Sequence, residues 1–375
     1  MAYTKTYNDF KPLYNMNEKK ISLPGTGVKI FNIDFTSDMP SDEFFNKSDY
    51  RITENRSFVY PVFAPADTTS KRVILFLHGL NERSWIKYLV WAYYLSEQTG
   101  SYVILFPISF HINRSPSSWS DPRKMISVMK ERNSALGEAD MLSFANVALS
   151  NRLTEDPMRF FNSGYETTSD LIKLLTSVRN GEHSIIPKTD KINVFAYSIG
   201  AFLAEILMMG NPGNLFSESK LFMFCGGSVF SSMRGSSRLI MDTHAFNRVY
   251  NFYLFDFEKK LTGKSQFVEF MNSSRIGMAF RAMIDLGRFR EFRENVLRHV
   301  RERIHSIALL KDTVIPTKGI ISTLRSDEKK DIVDVLDFPY NYTHENPFPV
   351  LDLPLSAKVD YWFETVFSEA ALYLQ

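Results

Sequence analysis

Cysteine is nearly absent from this sequence. The 375 residues include a single cysteine, Cys225. A disulfide needs two thiols, and a structural zinc site of the common type needs several. We therefore expect neither an intrachain disulfide nor a thiolate metal site.

The sequence also has little excess charge and no long apolar run. Its 44 Lys and Arg residues nearly balance its 42 Asp and Glu residues, for a formal net charge of +2. This balance argues against a nucleic-acid-binding surface. No segment reaches the roughly 18 consecutive apolar residues of a membrane span, and residues 1–15 lack the apolar core of a signal peptide. We expect a soluble, cytoplasmic protein without a membrane span or a nucleic-acid partner.

Motifs for metals and phosphates are missing as well. The seven histidines are scattered along the chain, without a His-Glu-x-x-His motif or a His/Asp cluster at metal-ligand spacing. The segment LPGTGVK at 23–29 contains two glycines but lacks the spacing and the strand-loop-helix context of a phosphate-binding loop. The sequence therefore predicts no metal and no cofactor.

Apolar and aromatic residues, in contrast, are abundant. Hydrophobic residues make up 44% of the chain, and 32 residues are phenylalanine. This composition is typical of a globular protein with a large aromatic interior, and we interpret most of the phenylalanines as core. At 375 residues the chain exceeds one minimal domain, so we expect one core with insertions or a cap.

From Ser57 onward, short apolar runs alternate with helix-like segments. The runs KRVILFLHGL at 71–80 and SYVILFPIS at 101–109 are typical of buried strands, and the amphipathic segment 85–100 between them predicts a helix. Continuous apolar strands separated by helices indicate a parallel sheet that is covered on both faces. The sequence therefore predicts an α/β fold.

Two segments interrupt this alternation. We expect a core of residues 57–230 and 302–375 with an insertion at about 112–163, a helical cap at 231–301, and an N-terminal extension, 1–56, packed on the core. Both insertions follow the carboxyl ends of predicted strands, where open α/β sheets bind ligands. The Arg- and Glu-rich end of the cap, from 286 to 304, predicts a solvated, salt-bridged helix rather than an anion-binding patch.

The stretch VFAYSIGAFLAEIL, at 194–207, begins like a buried strand and ends like a helix. Ser198 lies at the junction, with the small residues Ala196 and Gly200 two positions to either side. A sharp strand-to-helix turn forces its central residue into a sparsely populated conformation, and bulky neighbours would collide there. The turn would hold the serine hydroxyl outward; a serine that only caps the helix is the alternative.

This turn resembles the nucleophile elbow of the α/β-hydrolase superfamily, with Ala196 where the commonest form has glycine. The resemblance extends over residues 57–375 in the order of predicted elements. It implies an α/β-hydrolase fold, with a mostly parallel central sheet, helices on both faces and a mainly helical cap. It also implies a serine nucleophile whose acid and histidine follow it along the chain, in that order.

His344 and Asp312 match this order. His344 is the only histidine downstream of every plausible acid on a late strand, and it lies in the polar loop NYTHENPF. Asp312 lies in IALLKDTVIP, which is similar to the D-x-V-x-P turn that carries the acid in many hydrolases. Asp334 and Asp337 are alternative acids, although both lie in a strand-like run where a solvent-facing role is simpler.

The resemblance also implies two backbone donors for an oxyanion. One is the N–H of Ile199, directly after the serine at the start of a helix. The other is the N–H of Leu80, or alternatively of Asn81, in the loop that follows His78 and Gly79. In this interpretation His78 is structural, and Gly79 permits a close backbone approach.

The function implied is that of a serine hydrolase with carboxylic esters as the default substrates. Peptidases, amidases, thioesterases, acyltransferases and some lyases share the same three side chains, so these activities are alternatives. A non-catalytic binding protein that retains the fold is a further alternative. The expected partner is a small-molecule substrate, and the aromatic content favours one with an apolar acyl or aryl group.

Overall fold

Nine β-strands form one sheet within residues 1–38, 48–324, 332–350 and 353–375, which this computed structural model describes. In chain order they are β1 (Lys20–Ser22), β2 (Lys29–Thr36), β3 (Ser57–Ala64), β4 (Val73–Leu77), β5 (Tyr102–Leu105), β6 (Ile192–Tyr197), β7 (Leu221–Phe224), β8 (Ile304–Leu309) and β9 (Val333–Leu336). Their spatial order is β1-β2-β3-β5-β4-β6-β7-β8-β9. The pairs from β5-β4 to β8-β9 are parallel, and the first three pairs are antiparallel.

Thirteen α-helices surround this sheet in the described part of the chain. They are α1 (Tyr3–Phe10), α2 (Ile86–Thr99), α3 (Pro122–Leu136), α4 (Val147–Glu155), α5 (Met158–Asn180), α6 (Ile199–Gly210), α7 (Thr243–Asn251), α8 (Phe257–Lys260), α9 (Gln266–Ser273), α10 (Arg275–Ala282), α11 (Arg290–Val300), α12 (Thr317–Leu324) and α13 (Leu353–Leu374). None of these helices combines the length and the apolar character needed to cross a membrane.

The central strands are buried on both faces. In β4, Leu75 and Leu77 belong to one layer of the core, whereas Ile74 and Phe76 belong to the other. Successive side chains of a strand point to opposite faces, so a strand covered on both sides must be apolar throughout. Helices α5 and α6 contribute to the first layer, and α1, α2 and α13 contribute to the second. The predicted α/β class, with a mostly parallel sheet between helical layers, is confirmed.

The N-terminal region takes part in the sheet itself. Strand β2 pairs with β3 over eight residues, from Lys29 opposite Ala64 to Thr36 opposite Ser57. Helix α1 packs on α13, where the ring of Tyr3 stacks on a phenylalanine ring with centroids 4.3 Å apart. The sheet therefore begins well before the first strand that the alternating pattern from Ser57 identifies.

The two segments predicted as insertions are largely helical and contact each other. Residues 112–163 contain α3, α4 and the start of α5, and residues 231–301 contain α7 to α11. Arg132 of α3 forms a bidentate ion pair with Asp242, with N–O distances of 2.6 and 2.9 Å. Because both segments follow strands of the parallel part of the sheet, they lie at the end where those strands terminate.

Helix α11 is shorter than the predicted helix over 286–304, and one of its arginines is buried instead of solvated. Arg290 and Glu294 form an exposed pair 2.6 Å apart, as expected for salt-bridged charges at that spacing. Arg293, however, is only 2% exposed. Its guanidinium donates to the carbonyl oxygens of Ala282 and Asp285, at 2.7 and 3.0 Å. This arginine stabilises the loop before α11 instead of facing water.

Candidate active site

Ser198 lies at the sharp junction of β6 and α6. Its backbone angles are φ 59° and ψ −124°, a region that residues with a side chain rarely adopt. A Cβ atom on Gly200 would lie 2.5 Å from the carbonyl oxygen of Leu77 and 2.8 Å from that of His78. Any larger residue at position 200 would therefore collide with the end of β4. This explains in steric terms why the sequence has glycine there.

A continuous chain of hydrogen bonds links three side chains at this junction. The Oγ of Ser198 lies 2.6 Å from the Nε2 of His344. The Nδ1 of His344 lies 2.6 Å from the Oδ2 of Asp312. A carboxylate can only accept hydrogen bonds, so Nδ1 carries the proton and Nε2 presents its lone pair to the serine hydroxyl. The structure thus brings together three residues that sequence reasoning selected from distant parts of the chain.

The other oxygen of Asp312 is held by the backbone. Its Oδ1 accepts hydrogen bonds from the N–H groups of Val314 and Ile315, both at 2.8 Å. Two backbone donors fix the orientation of the carboxylate before it meets the imidazole. The turn after β8 therefore positions the carboxylate through the residues of the D-x-V-x-P sequence itself.

Tyr197 holds His344, a contact that sequence reasoning did not identify. The Tyr197 hydroxyl donates a hydrogen bond to the carbonyl oxygen of His344, and the two rings stack with centroids 5.7 Å apart. The Nζ of Lys87 reaches the same loop, 3.1 Å from the carbonyl oxygen of Glu345. The tyrosine and the histidine are 147 positions apart, so no local pattern marks their contact.

Two backbone N–H groups of residues that line the cavity at Ser198 have no hydrogen-bond partner in the described part of the chain. In the described part of the chain, no hydrogen bond involves the N–H of Leu80 or of Ile199. Both residues line the same cavity as Ser198. The loop that carries Leu80 is anchored through Gly79, whose N–H donates to the Tyr88 hydroxyl at 3.2 Å. Two residues that line the cavity at Ser198 therefore have backbone N–H groups without a partner among the described residues.

His78 uses both ring nitrogens within the fold. Its Nδ1 lies 2.7 Å from the carbonyl oxygen of Gly79, and its Nε2 accepts from the N–H of Ile108 at 2.9 Å. The ring is fully buried, and this burial holds the pKa of His78 well below its usual range. A neutral imidazole with both nitrogens engaged links β4 to the loop after β5 and is not positioned to act as a base.

The alternative acids lie elsewhere. The Oδ2 of Asp334 lies 3.2 Å from the Nε2 of His305. The Oδ1 of Asp337 accepts from Lys311 at 2.8 Å and from the Tyr342 hydroxyl at 3.2 Å. These partners account for both carboxylates without His344, so Asp312 is the acid that meets this histidine.

One described cluster has the composition of a metal site. His305, Asp334 and Glu369 place one ligand atom each within 4.8 Å of one another. The His305 Nε2 already lies 2.6 Å from a Glu369 oxygen, which is the geometry of a histidine-carboxylate hydrogen bond. The three residues come from β8, β9 and α13, so their positions in the sequence show no ligand spacing. The cluster shares no residue with the Ser198 group.

Two apolar cavities border the Ser198 group. The first, which we call the α7 cavity, has a volume of about 460 Å³. Its lining includes Ser198, Phe246 and Val249 from α7, and Val314 and Ile315 from the Asp312 turn. Ser198 is only 4% exposed to solvent, and residues of the helical segment 231–301 form about half of the cavity lining.

The second cavity, which we call the α6 cavity, has a volume of about 850 Å³. Its walls include Phe202, Leu203 and Ile206 from α6 and Phe280 from α10. Leu80, Phe160 and Ile199 line both cavities. The two spaces therefore adjoin at the residues that carry the open N–H groups.

The mostly parallel sheet and the serine turn after β6 define the class of protein, which is the α/β-hydrolase fold. The chain belongs to the family whose model matches residues 42–375 and which is described as "Family of unknown function (DUF6051)". No curated protein matches the sequence significantly.

Several solved structures are similar to this chain. Carboxyl esterase 2 from the mycorrhizal fungus Tuber melanosporum is 9% identical with a TM-score of 0.48, over 94% of this chain and 88% of that one. S-formylglutathione hydrolase from Agrobacterium tumefaciens is 11% identical with a TM-score of 0.48, over 94% and 99% of the two chains. A thermostable esterase from Pseudomonas putida ECU1011 is 9% identical with a TM-score of 0.45, over 100% and 89%.

Proposed function

We propose that the protein is a serine hydrolase that cleaves carboxylic esters through an acyl-enzyme on Ser198. The observation that carries this proposal is the pair of 2.6 Å contacts that join Ser198 to His344 and His344 to Asp312. A serine hydroxyl is a weak nucleophile at neutral pH unless a base within hydrogen-bonding distance accepts its proton. Here the base is in contact with the hydroxyl, and a carboxylate orients the base.

The proposed reaction begins when Ser198 Oγ attacks the ester carbonyl carbon and its proton passes to His344 Nε2. Asp312 stabilises the resulting imidazolium through Nδ1. As the tetrahedral intermediate collapses, the carbon–oxygen bond to the alcohol breaks and the imidazolium protonates the departing oxygen. Water then attacks the acyl-enzyme with His344 again as base, which releases the acid and restores the serine.

The oxyanion of each tetrahedral intermediate would be bound by the N–H groups of Leu80 and Ile199. Their support is that both groups are open within the described residues and both residues line the cavity at Ser198. Ile199 also begins α6, whose dipole favours negative charge at its N-terminus. One such donor typically contributes about 3 kcal/mol to transition-state stabilisation.

Segments 112–163 and 231–301 would act as the cover of this site, with 231–301 as the cap of a core formed by 57–230 and 302–375. Phe160 comes from the first segment, and Phe246 and Val249 come from the second; all three line the α7 cavity. Exclusion of water from the site would strengthen the electrostatic interactions of the transition state. The substrate would be a small molecule that enters between the two segments.

A fluorophosphonate probe combined with Ser198→Ala tests the proposal. We expect the probe to label the wild type on the peptide that contains Ser198, and Ser198→Ala to lose both the labelling and the hydrolysis of short p-nitrophenyl esters. Ser368→Ala, an exposed serine on α13 that lines neither cavity, is the matched control and should retain both. A folded wild type that neither reacts with the probe nor hydrolyses esters would instead indicate a binding protein that retains the fold.

A further inference from the structure

The two cavities carry an inference about the substrate, which rests on the proposed function. We propose that the substrate is an uncharged ester with an apolar group on each side of the ester bond. A medium-length acyl chain occupies the α6 cavity, and the apolar alcohol portion occupies the α7 cavity. The reacting carbonyl lies at Leu80, Phe160 and Ile199, where the two cavities adjoin.

The position of His344 indicates which cavity holds the alcohol portion of the ester and which holds the acyl group. The departing alcohol oxygen takes its proton from the Nε2 of this histidine, so the alcohol lies on the side of the His344 and Asp312 pair. Val314 and Ile315, whose N–H groups hold Asp312, line the α7 cavity. Among the described residues, the lining of the α6 cavity includes none from 312–315 or from the loop 341–346. The acyl group therefore extends in the opposite direction, into the α6 cavity.

The first turns of α6 indicate how long the acyl group is. Ile199, Phe202, Leu203 and Ile206 all line the α6 cavity and have the spacing of one helical face. The eight residues from Ile199 to Ile206 span about 10 Å along the helix axis. A wall of this length contacts an extended chain of several methylene groups, whereas an acetyl group would leave most of the cavity unfilled.

The charged residues of the α6 cavity are already paired. Arg152 and Arg159 both contact the buried carboxylate of Asp49, at 3.0 and 2.9 Å. The Arg152 guanidinium also lies over the ring of Phe110, 4.6 Å from its centroid. Arg159 also pairs with Glu155, so two carboxylates face the two arginines within the fold. The cavity therefore offers no unpaired cation to an anionic substrate group, which favours an uncharged chain.

Gly164 on α5 provides a specific test of the acyl side. It lines the α6 cavity, and a Cβ atom built on it meets no atom within 4 Å. Gly164→Phe therefore places its Cβ atom in open space, and we expect its ring to occupy part of the cavity. Gly164→Ala is the matched control, since it also replaces this helical glycine but adds only a single methyl group.

The first measurement compares kcat/KM for p-nitrophenyl acetate and octanoate. Each buried methylene contributes up to about fourfold, so we expect the wild type to favour octanoate by at least about tenfold. Gly164→Phe should lower kcat/KM for octanoate by about tenfold or more and leave acetate within about threefold. Gly164→Ala should leave both substrates within about threefold. The melting temperature of each variant verifies folding.

The second measurement varies the alcohol with the acetyl group fixed. Ile240 lines the α7 cavity, so Ile240→Phe should lower kcat/KM for hexyl acetate relative to methyl acetate. The ratio of octanoate to acetate among the p-nitrophenyl esters should not change in this variant. The converse pattern is expected for Gly164→Phe, which should not change the ratio of hexyl to methyl acetate.

The outcomes separate the substrate proposal from the proposed function. A wild type that hydrolyses acetate and octanoate equally well overturns the acyl assignment, while its labelling at Ser198 still supports the hydrolase. If Gly164→Phe changed the ratio of hexyl to methyl acetate and left the ratio of octanoate to acetate unchanged, the α6 cavity would hold the alcohol instead of the acyl group. That result would overturn the proposal. Absence of both Ser198 labelling and ester hydrolysis would contradict the proposed function itself.

Discussion

Asp312 and His344 form a contact of 2.6 Å that is shielded from solvent, with their side chains 1% and 2% exposed. Two backbone N–H donors hold one oxygen of the carboxylate in place. The other oxygen is therefore in a fixed position, from which it orients the imidazole of His344. In the proposed mechanism, the carboxylate therefore selects the histidine tautomer that leaves Nε2 free to accept the serine proton.

We predict that Asp312→Asn lowers kcat for p-nitrophenyl esters by about four orders of magnitude, because the amide favours the wrong tautomer of His344. Steady-state kinetics together with the melting temperature would measure this effect. Asp337→Asn is the control, because Asp337 contacts Lys311 and Tyr342 instead. A mild effect of Asp312→Asn, or an equal effect of Asp337→Asn, would contradict the assigned role of Asp312.

We predict that Gly200→Ala destabilises the fold and impairs the Ser198 turn. Its Cβ atom would lie 2.5 Å from the carbonyl oxygen of Leu77, so either α6 or the end of β4 must shift. Such overpacking typically costs about 1 to 3 kcal/mol of unfolding free energy, which urea denaturation measures. Gly164→Ala, a glycine substitution with open space around the new methyl group, should not lower stability. Wild-type stability and activity in Gly200→Ala would refute the steric explanation.

Short-range signals in the sequence predicted much of the fold and the Ser198 group. Strands β4 and β6 are continuous apolar runs because helices cover both faces of the sheet, and that burial leaves a pattern within a few residues. Ser198 was recognisable because its strained conformation demands Gly200 nearby. Asp312 and His344 followed from the order along the chain that the resemblance to α/β-hydrolases implies, rather than from contacts.

What the sequence could not predict depends on contacts between distant residues. The support of His344 by Tyr197 spans 147 positions, and the cluster of His305 with two carboxylates joins three separate elements. Arg293 lies in a charged segment, so only the carbonyl groups around it in the fold distinguish it from its solvated neighbours. The two cavities likewise result from the packing of both insertions against the core.

Asn81 connects the core to both insertions, which leads to a third prediction. Its Nδ2 donates to the carbonyl oxygens of Ala145, at 2.9 Å, and Leu239, at 2.7 Å. We predict that Asn81→Asp lowers the unfolding free energy by about 2 to 4 kcal/mol, because the carboxylate removes both donors and faces two carbonyl oxygens. Asn81→Gly keeps the positive φ of 60° and should cost less. Urea denaturation of both variants decides the order, and an Asp variant as stable as the Gly variant would contradict this role.

Glu205 gives a prediction about pH. It is 1% exposed on α6, and neither carboxyl oxygen has a hydrogen-bond partner among the described residues. Burial raises the pKa of Glu205 from 4.5 to about 8, although the charge of Arg293 acts in the opposite direction. Between these two pH values the folded protein holds a proton that the unfolded chain has released. The unfolding free energy should therefore fall as the pH rises from about 4.5 to about 8.

Glu205→Gln removes this proton linkage while it keeps the shape of the side chain. We expect the variant to gain stability over the wild type as the pH rises, by a few kcal/mol at pH ~9, with little difference attributable to ionisation at pH ~4. Urea denaturation across this pH range measures the difference. Glu97→Gln, on the exposed face of α2, is the control and should show no such dependence. If the stabilities of Glu205→Gln and the wild type ran parallel from acid to alkaline pH, Glu205 would not be a buried carboxyl that folds in its protonated form.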